Sequence, residues 1–254
     1  MLDPTKRFSN RVENYVRYRP GYPDAIIDLL REACGLTRES IVADVGSGTG
    51  KLAELFLNSG NKVFGVEPNK EMRETGERLL KHFPDFISIE GTAESTTLPK
   101  QSADFITAGQ AFHWFQSEPC RTEFSRILKP NGWVVIVWND RQINTRPFLA
   151  DYENLLRKFG TDYEKVNHRR VTENAAVEDF FRTKPRLRIF PNSQQFDFDG
   201  LKGRLLSSSY TPEAGQSKHN EMLTALKRIF DAHQSGGRVV FEYDTLVYYG
   251  RLVE

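Results

Sequence analysis

Four residues that can do chemistry each stand where an apolar run ends: Asp44 after Ile41-Val42-Ala43, Glu67 after Val63-Phe64-Gly65-Val66, Glu94 shortly after Phe86-Ile87-Ser88-Ile89, and His113 just beyond Phe105-Ile106-Thr107-Ala108. Gly46, Gly48 and Gly50 follow Asp44 at alternate positions, and Lys51 to Leu57 then reads as helical. A buried strand, a tight turn and a helix whose first N–H groups face that turn make a surface for the polar atoms of a ligand. Glycine suits such a turn because it takes φ > 0 and lets backbone approach a ligand closely. The dinucleotide fingerprint G-x-G-x-x-G fits poorly, since the third glycine comes one residue early and Lys51 stands where Gly or Ala is wanted. An ionised Asp44 would also oppose a pyrophosphate while attracting an ammonium. Glu67 falls about 20 residues beyond Gly46, where nucleotide-binding α/β folds place an acid for ribose hydroxyls.

Asp44-Val45-Gly46-Ser47-Gly48-Thr49-Gly50 resembles motif I of the class I S-adenosylmethionine (SAM)-dependent methyltransferases. Two further stretches, Tyr15-x-x-x-Arg19-Pro20-x-Tyr22-Pro23 and Gln110-Ala111-Phe112-His113-Trp114-Phe115, are similar to the small-molecule branch with a type 11-like domain, which includes trans-aconitate and cantharidin methyltransferases. The turn Leu128-Lys129-Pro130-Asn131-Gly132 resembles one widespread in class I methyltransferases and supports the fold rather than a substrate. The likeness weakens across 141–180 and returns at 203–210 and 247–251. It implies SAM as cofactor, with Asp44 drawing the ammonium of its methionine part and Gly46, Ser47, Gly48 and Gly50 shaping the turn. Tyr18 and Arg19 are then placed at the methionine end, Arg19 pairing the carboxylate. Glu67, Pro68 and Met72 match the second motif, at the ribose and adenine. Thr92, Ala93 and Glu94 are expected at the adenine amino group, since a carboxylate accepts from an exocyclic NH2. Gly109 and Gln110 open the segment at the C-terminal end of strand four. His113 is the candidate general base for a hydroxyl or amine nucleophile. The implied activity is methyl transfer (EC 2.1.1.-) to a small acceptor, with a carboxylate or hydroxyl as the receiving group. A non-catalytic SAM-binding protein is the alternative, and an NAD-dependent oxidoreductase a more distant one.

The elements that must position these residues alternate strand and helix. Strands are expected at Ile41–Asp44, Lys62–Glu67, Phe86–Glu90, Ala103–Ala108, Trp133–Trp138, Arg186–Phe190 and Arg238–Leu252. Helices are expected at Ala25–Glu32, capped by Asp24, and at Lys51–Gly60, Asn69–Lys81, Pro119–Leu128, Pro147–Phe159, Val177–Arg182 and Lys218–His233. Together they predict a Rossmann-like α/β fold: a seven-stranded, mostly parallel sheet with helices on both faces, an antiparallel C-terminal edge and a C-terminal helical cap. The expected organisation is an N-terminal arm and helix over the cofactor (1–40), a SAM-binding core (41–140) and a cap with the remaining strands (141–254). Arg169, Arg170 and Tyr210 are cap residues that could face an acidic substrate.

Lys plus Arg number 35 against 34 Asp plus Glu, so no electrostatic footprint for nucleic acid or an anionic membrane is present. Cys34 and Cys120 make neither a disulfide framework nor a metal pair, and the five histidines show no ligand spacing; no metal is expected. Without an apolar signal core at its start or a run long enough to span a bilayer, the chain reads as cytoplasmic, a monomer or homodimer.

Overall fold

The computed structural model describes residues 12–163 and 174–252. Its sheet has seven strands: β1 (Ile41–Val45), β2 (Lys62–Val66), β3 (Phe86–Ile89), β4 (Ala103–Gly109), β5 (Leu128–Arg141), β6 (Arg186–Phe196) and β7 (Val239–Gly250), in the order β3-β2-β1-β4-β5-β7-β6. The first five pair in parallel, and β7 runs antiparallel to both β5 and β6. The antiparallel strand therefore lies inside the sheet and β6 forms the edge, whereas the sequence reading put the antiparallel member at the rim.

Strand periodicity explains how both faces are buried. Val42, Val63, Phe105 and Val135 share one core with α2 (Ala25–Cys34) and α3 (Lys51–Asn58). Ala43, Val66, Ile106 and Ile136 share the other with α5 (Ser117–Ile127) and α7 (Asn174–Phe181). A parallel sheet covered on both faces needs such near-continuous apolar strands. On the first side α4 (Lys70–Leu80) adds Leu80, and the Asn69 side chain caps it by accepting from the Met72 N–H at 2.9 Å.

A third core holds the cap. Here α6 (Pro147–Phe159), α8 (Phe198–Leu206) and α9 (His219–His233) pack with β7 around Phe241. Its ring meets those of Phe148, Tyr152 and Phe196 edge-on at 5.2, 4.9 and 5.6 Å.

Local signals and structure part company at four points. Helix α1 (Val12–Tyr18) was not foreseen, although it ends before Pro20 as proline requires. Helix α8 was missed because Gly200 and Gly203 lower its propensity; Gly203 is there because the Tyr18 ring fills the space a Cβ would need. β6 continues through Pro191 to Phe196, which an edge strand permits since one side of its backbone needs no donor. Asp24 makes no side-chain cap: it already has helical angles, φ −59° and ψ −28°.

Candidate active site

A cavity of about 460 Å³ lies over the C-terminal ends of β1, β2, β4 and β5, beneath the cap and α1. Its size falls in the range of small-molecule sites, and its position is where open α/β sheets bind ligands. One half is made of loops that leave the strands. Gly46, Gly48 and Gly50 have φ of 70°, 57° and 85°, which L side chains rarely adopt. At Gly46 a Cβ would also stand 2.6 Å from that of Ala111, so the turn and the segment after β4 touch only because Gly46 has none.

Asp44 and Glu67 hold this half from below. Asp44 is buried; its Oδ1 accepts from the Thr107 hydroxyl at 2.8 Å, while Oδ2 has no hydrogen-bond partner. Burial pushes its pKa up to about 7, the Thr107 hydroxyl and the Ala53 N–H partly offsetting this and Glu67 adding to it. Glu67 accepts from the Gly48 N–H and the Asn69 N–H, both at 2.8 Å, and so clamps the glycine turn to the end of β2. Desolvation raises its pKa as well, and the backbone donors counter it. A carboxylate has about four acceptor sites, so about two remain for hydroxyls in the cavity.

The strap from α1 to Pro23 closes the mouth. Lys51 Nζ donates to the Val16 carbonyl at 3.0 Å, and Asn139 and Asn192 both donate to the Gly21 carbonyl. Arg19 donates to the Ser207 hydroxyl and carbonyl and to the Ser208 hydroxyl at 3.1–3.3 Å, which ties the strap to the end of α8.

The structure brings Arg19, Gly46, Gly48, Glu67, Pro68, Met72, Thr92, Ala93, Glu94, Gly109, Gln110 and His113 to the cavity wall. Asp44 and Ser47 line a small adjoining pocket under the glycine turn. Gly50 faces neither; it lets Leu80 approach α3. Tyr18 is turned to the cap, against Gly203 and Phe196, and from the same helix Tyr15 lines the cavity instead. Glu94 accepts from the Gln116 N–H at 2.8 Å. Gln110 sits at φ 55°, an unusual conformation for a side-chain-bearing residue, with its amide bonded to the Asn139 carbonyl. His113 lies in a 3₁₀ turn, Phe112–Trp114, its ring 5.1 Å from that of Trp138 and near-perpendicular to it. Arg169 and Arg170 lie outside the described residues.

In the other half of the cavity only Tyr210 had been singled out from the sequence. Arg141, Glu153, Tyr163, Arg204 and Tyr243 line it together with Tyr210. Arg141 donates to Glu153 Oε2 at 2.5 Å, and Tyr163 donates to the same oxygen at 2.7 Å. Glu153 stays below the usual carboxylate range: burial works against this, but Tyr163, Arg141 and Arg157 outweigh it.

Residues 43–136 match a family model described as a methyltransferase domain. A methyltransferase-like protein of Schizosaccharomyces pombe is 28% identical over 247 residues, which cover 96% of this chain and 94% of that protein. A Saccharomyces cerevisiae chain named as an S-adenosylmethionine-dependent methyltransferase is 32% identical over 124 residues, covering 47% of this chain and 42% of its own. Among solved structures, a type II methyltransferase so titled from Anaeromyxobacter dehalogenans superimposes with a TM-score of 0.63 at 18% identity, over 93% of this chain and 99% of that one. The fold is that of class I methyltransferases, and the glycine turn falls inside the stretch that matches the methyltransferase domain. The chain carries a methyltransferase domain of type 11, and its methyl donor is SAM. The residues fit that donor: a buried Asp44 oxygen with no partner among the described residues, a turn in which every other residue lacks a Cβ, and spare acceptor sites on Glu67 at the far end.

Proposed function

We propose that the protein methylates an oxygen, carboxylate or hydroxyl, of a small-molecule acceptor held in the second half of the cavity. The observation that carries this reading is the continuity of one cavity from the glycine turn to the buried arginines of the cap. When bound, SAM supplies an electrophilic methyl on a sulfonium.

The chain's own residues hold and align. Arg19 would pair the methionine carboxylate, Asp44 the ammonium, Glu67 the ribose hydroxyls and Glu94 the adenine amine, with Met72 and Pro68 against the base. Gly46, Ser47 and Gly48 would present backbone, Thr92, Ala93 and Gly109 would shape the walls, and Gln110 would brace β5. Tyr15, Tyr22 and Trp114 would exclude water. Alignment of this kind can supply roughly 7–11 kcal/mol of barrier reduction without acid–base help. His113 would take the proton of a hydroxyl acceptor, whereas a carboxylate needs no base.

Residues 1–40 are then the arm, 41–140 the cofactor core and 141–254 the cap. The even charge balance supports an acceptor other than nucleic acid. No described helix is long and apolar enough to cross a membrane. Two free cysteines suit a reducing compartment such as the cytoplasm, and a monomer or homodimer is the expected state.

Calorimetric titration with SAM, S-adenosylhomocysteine and NAD tests the reading. Binding of the first two at about micromolar Kd, with none of NAD, is expected; binding of NAD alone would overturn it.

A further inference from the structure

Arg141, the last residue of β5, is placed as a receptor rather than a brace. Its side chain is 12% exposed, and one terminal nitrogen is committed to Glu153 and, at 3.4 Å, to the Tyr163 hydroxyl. The Tyr152 ring lies beneath the guanidinium, 5.2 Å away. The other terminal nitrogen, Nη1, is buried and donates to nothing among the described residues. A buried donor without an acceptor costs about 1–3 kcal/mol, and more when charged, so a side chain held this firmly in that state is poised for an oxygen from outside the protein.

The neighbouring charged groups leave that donor open. Arg204 is buried over the Phe241 ring and donates to the hydroxyls of Tyr243 and Ser208, and among the described residues no carboxylate forms an ion pair with it. Glu153 is already shared by Arg141, Arg157 and Tyr163. Asp140, next along β5, also lines the cavity and acts on Tyr248. Arg141 and Arg204 thus face the cavity with Glu153 and Asp140, and what sets Arg141 apart is its open Nη1 donor in a site shielded from water.

We infer that the acceptor carries a carboxylate and that Arg141 selects it, Nη1 donating to a carboxylate oxygen while Glu153 and Tyr163 hold the guanidinium in place. This rests on the assignment of the cavity's second half to the acceptor. One carboxylate oxygen matches one open guanidinium nitrogen, whereas a phosphate, at about −1.5 to −2, would bring more charge than that single donor meets.

The test uses the full chain saturated with S-adenosylhomocysteine, titrated by calorimetry with short aliphatic mono-, di- and tricarboxylates, their carboxamides and inorganic phosphate. The best carboxylate should bind at least about tenfold more tightly than its amide, and Arg141→Gln should remove that margin while S-adenosylhomocysteine affinity stays within about twofold. Arg141→Lys, which keeps the charge but not the fork, should retain part of it and serves as the deciding variant if Arg141→Gln melts early. Absence of carboxylate binding, equal affinity for acid and amide, an undiminished margin in the Arg141 variants, or tighter binding of phosphate would each overturn the inference. Failure of the wild type to bind S-adenosylhomocysteine would instead strike the cofactor assignment beneath it.

Discussion

The two halves of the cavity are built by different means. The cofactor half comes largely from residues 44–116, where each strand hands its chain to a loop and the loop presents backbone: Gly46, Gly48, the Glu67 clamp and the Thr92–Glu94 turn. The acceptor half comes from β5, α6, α8 and β7 and presents side chains, so that Arg204 meets Tyr243 across 39 residues and Arg141 meets Glu153 across 12. Backbone sites depend on chain geometry and accept few substitutions. Side-chain sites can be retuned one residue at a time on an unchanged frame, which is how one fold serves many acceptors.

Gly46→Val should break the cofactor half most completely. The residue needs φ 70°, which a β-branched side chain resists by about 1–2 kcal/mol, and the Cβ would collide with Ala111. SAM affinity is expected to fall by more than about a hundredfold, or 2.7 kcal/mol. Affinity within about threefold of wild type would show that the turn is not the cofactor's seat.

Asp44→Asn probes the same half through protons. Because the folded pKa lies near 7, above the usual 3.8, the protonated form is favoured on folding. Stability tied to this group is therefore full below about pH 3.8 and declines as pH rises toward 7, the reverse of an ordinary salt-bridged aspartate. Cation binding works against that penalty, so SAM affinity should rise several-fold between about pH 6 and 7.5 as Asp44 ionises. Asp44→Asn should bind about tenfold more weakly at the upper pH and lose this slope. A slope that survives the substitution belongs to another group.

Legibility in the sequence divides along the same line. Asp44, Gly46 and Glu67 could be read because each sits within a few residues of a strand end, and strand periodicity plus glycine spacing is local information. The sheet was legible for the same reason, down to seven strands, while the inward place of β7 depends on which edge β6 joins, a non-local choice. Tyr18 was selected over Tyr15 because spacing alone does not tell which face of an unforeseen helix looks inward. Arg141, Glu153 and Arg204 carry no local signal, being ordinary charged residues until the cap folds onto the sheet. Only the opening of the cap by a long strand ending in Asn139-Asp140-Arg141, polar after the apolar run from Trp133 to Trp138, could have drawn attention to one of them.

Glu153→Gln sharpens the contrast from the other side. It keeps the shape of the side chain but releases Arg141 and Tyr163 from a charged acceptor. If the acceptor half is held by side chains independently of the cofactor half, KM for the acceptor should rise about fivefold to twentyfold, with the SAM dissociation constant unchanged. A parallel loss of SAM affinity would mean that the halves are one coupled unit, and the comparison would fail.

His113 stands at the seam and should give the smallest effect. Its ring is packed beside Trp114 and Trp138, centroids 4.4 and 5.1 Å away, so its placement is as consistent with filling the wall as with moving a proton. The two roles separate by nucleophile. A base is worth about 10²–10⁴ when a proton must leave in the transition state and nothing when the nucleophile is already an anion. For a carboxylate acceptor, His113→Gln should therefore lower kcat by less than about threefold and leave the pH profile across the histidine range flat. A loss of a hundredfold or more on a carboxylate, with the profile intact, would make His113 an aligning residue shared by both halves. A lost acidic limb would instead show that the group receiving the methyl arrives protonated and is not the carboxylate held at Arg141.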